Sequence, residues 1–166
     1  MVREKILLDQ PGMCEITDFV TAEIGGSGIA EGVCVITVLD ERAAVVAVKR
    51  ERAEVRRDIM EDLERMFPPR VNYRVVEMMD ESVYHAAEVE NAAEVQTALS
   101  RTLPKKTAVT LKQAAVEAAA RSKAAVTGGS LDVIVQDGCP AIPPDQGIFV
   151  AGYAGGLELE IVIMCG

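Results

Sequence analysis

Short β-branched runs and helical patterns follow one another irregularly along the chain. Strands are predicted at residues 4–9, 32–40, 43–50, 71–79, 106–111, 131–136, 147–153 and 157–165. Only Glu41 and Arg42 separate the second run from the third, which predicts a hairpin, and the last two runs flank a glycine turn and predict another. Seven or eight strands mixed with three or four helices indicate the α+β class.

Helical periodicity is clearest at residues 53–67, where apolar side chains share one face of the predicted helix (Val55, Ile59, Leu63). A shorter helix is expected at 18–24. Thr17 or Asp18 is suited to cap its start, and Gly25-Gly26 is expected to end it.

Two further helices are predicted in the second half of the chain. One covers residues 85–101, and the other covers the alanine-rich residues 111–125, after a capping box formed by Thr110 and Gln113. Alanine favours helix but buries little apolar area, so this helix should pack through a face of small side chains. Its charged side chains are then expected in solvent: Lys112, Glu117, Arg121 and Lys123.

The glycines near the C-terminus could form a phosphate cradle or a turn. Phosphate-binding glycines precede a helix, whose free N–H groups converge on the anion. The residues after Gly155-Gly156 alternate as a strand instead. The glycines are therefore interpreted as a turn.

The composition of the chain argues against several classes of function. A chain of 166 residues with 49% hydrophobic side chains predicts one domain, and a net charge of −9 argues against nucleic-acid binding. The basic cluster at 49–57 is interpreted as the solvated start of a helix. The four cysteines have no CxxC spacing, and His85 is the only histidine, so a zinc site is not expected. Without a signal peptide or long apolar run, we expect a cytoplasmic protein with reduced thiols and no membrane contact.

Four segments of the chain resemble the motifs of one family. They are ITDFV at 16–20, SGIAEGVCVITV at 27–38, AEVRRDIMEDLERMFPP at 53–69 and QGIFVAGYAGG at 146–156. They are similar to the YjbQ family of small bacterial and archaeal proteins, sometimes labelled secondary thiamine-phosphate synthases. The resemblance is loose over 1–111 and close over 146–166. It implies a single YjbQ-like domain over 1–166, with an insertion at about 111–145.

The resemblance implies an α+β fold with a β-sandwich core, assembled as a homotrimer. It also implies a histidine-lined pocket near the subunit interface, taken as the active site. The family's P-H-T-[ST]-A falls on LDERA, so Asp40 stands at the histidine position, with Glu41 and Arg42 at the hydroxyl positions. The paired histidines fall near Ala92 and Glu94.

Other pocket positions have also changed. The family's N-E-N falls on Val48, Lys49 and Arg50, and its Trp before Q-G-I-F is Asp145. The residues that carry over are Cys34, Gln146, Gly147 and scaffold positions. Cys34 and Gln146 are as compatible with packing as with chemistry, because a cysteine on a valine-rich strand usually behaves as a small hydrophobe.

These departures bear on catalysis. Imidazole donates and accepts protons near pH 7, whereas aspartate does so only if its pKa is raised. We therefore expect the family's histidine-dependent chemistry to be lost. The catalytic residues and any cofactor stay unknown, with candidates at the pocket positions Asp40, Glu41, Arg42, Glu94 and Gln146. Asp40 is a weak metal candidate, and His85 is either a surface residue or a displaced survivor of the lost histidines.

The charged residues that replace the pocket allow three interpretations. Asp40, Glu41, Arg42, Lys49 and Arg50 should lie close together on two paired strands. They could form a solvated hairpin end, a subunit or partner contact, or a remodelled pocket for a small charged ligand. In the last case Arg42, Lys49 and Arg50 are the ligand-binding candidates. Residues 140–145 are expected to contact the Asp40 end, in the same or a neighbouring subunit.

Overall fold

A computed structural model describes residues 1–70 and 105–166 of the chain, and the side chains from residue 112 in the second range. The predicted strand at 71–79 and helix at 85–101 lie outside these residues. In order, the elements are β1 (Val2–Leu8), β2 (Gly12–Glu15), α1 (Thr17–Ser27), β3 (Gly32–Val38), β4 (Ala43–Lys49), α2 (Ala53–Met66), α3 (Lys105–Thr127), β5 (Ser130–Gln136), β6 (Cys139–Pro140), β7 (Gln146–Gly152) and β8 (Leu157–Cys165). The predicted α+β class is confirmed.

The described strands form two antiparallel sheets. The larger has the order β1-β8-β3-β5-β6, and the smaller has the order β2-β7-β4. Gly152 of the smaller sheet lies against the larger one, since a Cβ there would stand 2.7 Å from Leu8 Cδ1 and 3.2 Å from Leu157 Cδ1. The two sheets therefore contact each other through apolar side chains at this end of β7.

Both predicted hairpins are wrong. β3 and β4 lie in different sheets, and so do β7 and β8. Two successive runs of alternating residues look alike whether the strands pair or change sheets. In the structure, the start of β4 is buried on both faces, since the consecutive residues Ala43, Ala44 and Val45 are all buried. A hairpin with one solvent-facing side would instead alternate buried and exposed residues. The prediction of a strand after the glycine turn is confirmed, and Gly156 has a positive φ of 67°.

Three crossings between the sheets meet at one end of the core. They are the segments between β1 and β2, between β3 and β4, and between β7 and β8. The N–H of Gly156 donates to Asp9 O at 3.1 Å, and the N–H of Tyr153 donates to Arg42 O at 3.0 Å. Backbone hydrogen bonds thus join the third crossing to each of the other two.

Two helix boundaries differ from the prediction. α1 continues through Gly25-Gly26 to Ser27 and ends where Gly28 adopts a left-handed φ of 72°. α3 begins at Lys105, so residues 106–111 are helical rather than a strand, and Thr110 lies inside the helix instead of capping it. The short β-branched run carries a weak preference, which the long alanine-rich segment after it overrides. The predicted ends of α2 before Pro68 and of α3 before Gly128 are confirmed.

The chain divides into two compact units. One is Met1–Met66 with Ala120–Gly166, and the other is Phe67–Ala119. Both sheets and the site described below belong to the first unit. The single domain with an insertion at about 111–145 stays a prediction. None of the helices in the described ranges is long and apolar enough to span a membrane.

Thr17 joins the start of α1 to the centre of the smaller sheet. Neither Thr17 nor Asp18 caps the helix, because Ile16 occupies the cap position and no side-chain cap bond forms. Instead, the hydroxyl of Thr17 accepts a hydrogen bond from the N–H of Ile148 at 2.9 Å and donates one to Glu15 Oε1 at 2.9 Å. Gly147 leaves room for this contact, since a Cβ there would lie 2.8 Å from Thr17 Oγ1.

Removing this hydroxyl should destabilise the fold. We expect Thr17→Val to lower the free energy of unfolding by about 1–3 kcal/mol, because the N–H of Ile148 is buried and would lose its partner. Thr17→Ser keeps the hydroxyl and is the matched control, with a smaller loss. Urea unfolding followed by circular dichroism measures both, and equal stability of the valine variant and the wild type would contradict the assignment.

Candidate functional site at the Asp40 corner

The crossing from β3 to β4 is built around one carboxylate. Asp40 Oδ1 accepts hydrogen bonds from the backbone N–H of Arg42 at 2.8 Å and from its Nε at 3.0 Å, and Oδ2 accepts one from Nη2 at 2.9 Å. An aspartate that binds the backbone two residues ahead favours a tight turn. The side chain of Asp40 is 15% exposed. Asp40 therefore stabilises the turn between β3 and β4, here called the Asp40 corner (residues 39–42), and also places a negative charge there.

This pairing fixes the charge of Asp40. The side-chain hydrogen bonds from Arg42 hold the pKa of the carboxyl below its ordinary value, against the opposing effect of burial. Asp40 is therefore ionised at neutral pH and is not poised to exchange protons there. Both of its oxygens already accept hydrogen bonds from a cation. Within 1–70 and 105–166, no three His, Cys, Asp or Glu side chains cluster as a metal site would require.

The end of α3 docks beside this corner. The N–H of Val38 donates to Gly129 O at 2.9 Å, and the N–H of Val45 donates to Gly128 O at 3.1 Å. The hydroxyl of Tyr153 donates to Thr127 Oγ1 at 2.9 Å. These bonds set the last turns of α3 across the point where β3 leaves one sheet and β4 enters the other.

A cleft of about 530 Å³ lies between the corner and the helix. Its wall is mainly apolar, with two carboxylates and one guanidinium. The lining residues are Val38, Leu39, Asp40, Glu41, Ala43, Arg121, Ala124, Ala125 and Gly129. The volume falls within the range of small-molecule sites, roughly 300–1,000 Å³.

Arg121 is the site residue that the sequence did not indicate. It is exposed, as expected, and its Nε lies 2.5 Å from Glu41 Oε1, with side-chain exposures of 43% for Arg121 and 68% for Glu41. Its spacing of three and four from Ala124 and Ala125, which puts all three on one helix face, is the signal that could have identified it. The prediction for Lys123 is wrong, because this lysine is buried and pairs with Glu64.

Lys49 and Arg50 do not join Asp40. Lys49 Nζ lies 2.5 Å from Asp145 Oδ2. Arg50 pairs with Glu15 at 2.5 Å and with Asp18 at 2.9 Å. The seven residues of β4 separate the two charged groups by roughly 20 Å. The expected closeness fails because Asp40 and Arg50 lie beyond opposite ends of β4.

The other predicted site residues that the structure describes also lie away from Asp40. Gln146 begins β7 opposite Lys49, at the far end of β4 from Asp40. Asp145 accepts a backbone hydrogen bond from Arg50 at 2.9 Å, so the loop that ends at Asp145 contacts the Arg50 end of β4 within this chain. Glu94, His85 and Ala92 lie outside the described residues, and Cys34 is fully buried on β3.

Comparisons with known proteins agree on one family. A family model described as UPF0047 protein YjbQ-like matches residues 5–163. A YjbQ/UPF0047 family protein from Clostridium acetobutylicum has a TM-score of 0.70 at 17% identity, with 100% of both chains covered. A YbjQ-like protein of unknown function from Sulfolobus solfataricus has a TM-score of 0.65 at 20% identity, covering 99% of this chain and 96% of that one. A conserved hypothetical protein from Thermus thermophilus scores 0.66 at 16%, covering 99% and 98%. A search of curated proteins gave no match.

The Asp40–Arg42 pair should make stability depend on pH. We expect Asp40→Ala to lower the free energy of unfolding by about 1–3 kcal/mol at pH 7. Because the pKa of Asp40 is lower in the folded protein than in the unfolded chain, this contribution is fully present above about pH 4 and is lost as pH falls through the folded value. The difference between variant and wild type should therefore shrink below about pH 4.

Urea unfolding at a series of pH values measures this difference. Asp58→Ala removes an exposed carboxylate on α2 and is the matched control, with little effect at any pH. A difference for Asp40→Ala that is absent at pH 7, or that grows as the pH falls, would contradict the assignment.

Proposed function

Because this chain belongs to the YjbQ-like UPF0047 family and holds an ionised aspartate where the family resemblance places a histidine, we propose that it is a homotrimeric binding protein for a small charged molecule. On this proposal it lacks histidine-dependent, thiamine-phosphate synthase-like chemistry. The observation that carries the proposal is the set of three hydrogen bonds from Arg42 to the Asp40 carboxylate.

The loss of proton transfer follows from that pairing. A general acid or base works best when its pKa is close to the pH of the reaction. Arg42 moves the pKa of Asp40 away from neutrality, so the carboxylate offers a fixed negative charge. A fixed charge at the wall of a cleft orients a ligand well but does not exchange a proton with it.

The composition of the cleft supports a ligand that carries charges of both signs. Glu41 and Arg121 form an ion pair at the cleft wall, and exposed ion pairs of this kind contribute little to stability. A ligand with an ammonium and a carboxylate or phosphate group can replace each half of the pair. Val38, Leu39 and the alanines of α3 then offer an apolar surface to the body of the ligand.

A binding experiment tests this function with defined probes. Amide chemical shifts of the labelled protein are followed while amino acids and phosphoethanolamine are added at millimolar concentration. We expect at least one zwitterionic probe to shift the signals of Leu39 and Ala125 in a saturable manner. Arg121→Gln should weaken that binding by about tenfold, because it removes a charge-assisted contact.

The controls separate binding from catalysis. Arg65→Gln changes an exposed arginine on α2 and should bind as the wild type does. Formation of thiamine phosphate from its pyrimidine and thiazole precursors should not exceed the protein-free rate. Turnover well above that rate would favour a remodelled enzyme over a binding protein. A cleft that responds to no probe, or an Arg121→Gln variant with unchanged affinity, would overturn the binding proposal.

The outer face of the larger sheet supports self-association. The register aligns Val33 with Ile134 and Val35 with Met164, and all four side chains point away from the core. Ile134 is 64% exposed and Met164 is 54% exposed. Adjacent exposed apolar side chains of this kind are typical of interaction surfaces, and copies of the same chain are the occupants proposed here.

Assembly can be measured directly. Sedimentation at micromolar concentration should give about three times the chain mass of 17.8 kDa. Met164→Glu puts a charge on the apolar face and should shift the population towards monomer. Val126→Glu changes an exposed valine on α3 and is the matched control. A monomeric wild type would contradict the trimer.

A further inference from the structure

Two cysteines face each other where the last strand ends. The register between β3 and β8 pairs Cys34 with Cys165. The next pair, Val33 and Gly166, exchanges both backbone hydrogen bonds, at 2.9 and 3.0 Å. Antiparallel pairs alternate, so Cys34 and Cys165 form a pair without backbone hydrogen bonds, whose Cα atoms stand about 4.5 Å apart. That spacing lies at the lower end of the range found in disulfides.

Their sulfur atoms are in contact. The thiol of Cys165 donates to Cys34 Sγ at 2.8 Å, and both cysteines are free thiols. The two remaining cysteines lie elsewhere. Cys14 is opposite Val150 in the smaller sheet, and Cys139 is exposed on β6 opposite Gln136. The backbone therefore brings together one cysteine pair and holds the other two thiols away from it.

We propose that Cys34 and Cys165 are a redox modification site, at which a low-molecular-weight disulfide of the glutathione class converts the two thiols into a reversible bond between β3 and β8. The proposal is independent of the ligand cleft, because neither cysteine lines it. It needs no movement of the backbone, since the existing register already sets the two side chains face to face.

The order of attack follows from burial. Cys34 is fully buried, and burial together with the hydrogen bond from Cys165 raises the pKa of its thiol to about 12. Cys165 is only half-buried. Solvent therefore reaches Cys165 first, and Cys34 reacts only with a sulfur that is already beside it.

The reaction is two thiol–disulfide exchanges. The thiolate of Cys165 attacks one sulfur of the small disulfide, forms a mixed disulfide and releases one small thiolate. Cys34 then gives up its proton to solvent and attacks the Cys165 sulfur, which forms the internal S–S bond and releases the second small thiolate. The protein pair loses two electrons and two protons, and the small disulfide gains them as two thiols. A reducing dithiol reverses both steps.

The bond would constrain the unfolded chain strongly. It joins residues separated by 131 positions, and closure of a loop of that length removes much of the conformational freedom of the unfolded state. The melting temperature should therefore rise on oxidation, on the order of 5–10 °C for a chain of this size.

Peptide mapping of the wild-type protein tests the proposal. The full chain is incubated with oxidised glutathione, its remaining thiols are alkylated, and a non-reducing digest is analysed by mass spectrometry. We expect a peptide pair linked through Cys34 and Cys165, a mass loss of about 2 Da for the whole chain, and recovery of both thiols with dithiothreitol. Cys139→Ser should still form the link and gain thermal stability, whereas Cys165→Ser should do neither.

Two results would overturn the proposal. One is the recovery of Cys34 and Cys165 as free thiols under conditions in which the exposed Cys139 has formed a mixed disulfide. The other is a link that joins either cysteine to Cys14 or Cys139. Because the mapping is done on the unaltered chain, neither result depends on whether a variant folds.

Discussion

The meeting of three sheet crossings at one end of the core is the constraint on which the rest of the structure depends. Each crossing carries the chain from one antiparallel sheet to the other, and backbone hydrogen bonds from Tyr153 to Arg42 and from Gly156 to Asp9 join them. A buried strand that leaves its sheet must still satisfy its polar backbone groups. Here the neighbouring crossings satisfy part of that requirement, and the Tyr153–Arg42 bond ties the Asp40 corner to the crossing between β7 and β8.

The same constraint decides what the candidate cleft can do. Asp40 accepts hydrogen bonds from both the backbone and the side chain of Arg42, so it closes the turn and carries its charge in one fixed position. Arg121 reaches the corner because Gly128 and Gly129 hold the end of α3 between β3 and β4. The result is a cleft with an apolar wall and paired charges, and the proposed function assigns to it the orientation of a ligand rather than the transfer of a proton.

Local sequence patterns predicted where the helices and strands lie better than they predicted which strands pair with each other. The periodicity of α2 and the alternation of β8 follow from which face each element buries, and that information is present in the sequence. The hairpins were wrong because strand pairing depends on long-range packing, which two adjacent strand patterns do not encode. Asp40 and Glu41 were identified through the family resemblance, whereas Arg121 was missed because its partner is 80 residues away. The contact between Cys34 and Cys165 could not be predicted either, because it depends on the register between β3 and β8.

The central claim is that Asp40 is a fixed anion of the corner, and the most direct test is a titration of its own carboxyl carbon by NMR. The account predicts a pKa below the ordinary aspartate value, because Arg42 stabilises the ionised form, and a return towards the ordinary value in Arg42→Gln. A pKa for Asp40 that lies near neutrality in the wild-type protein would contradict the account and would restore proton transfer to this site.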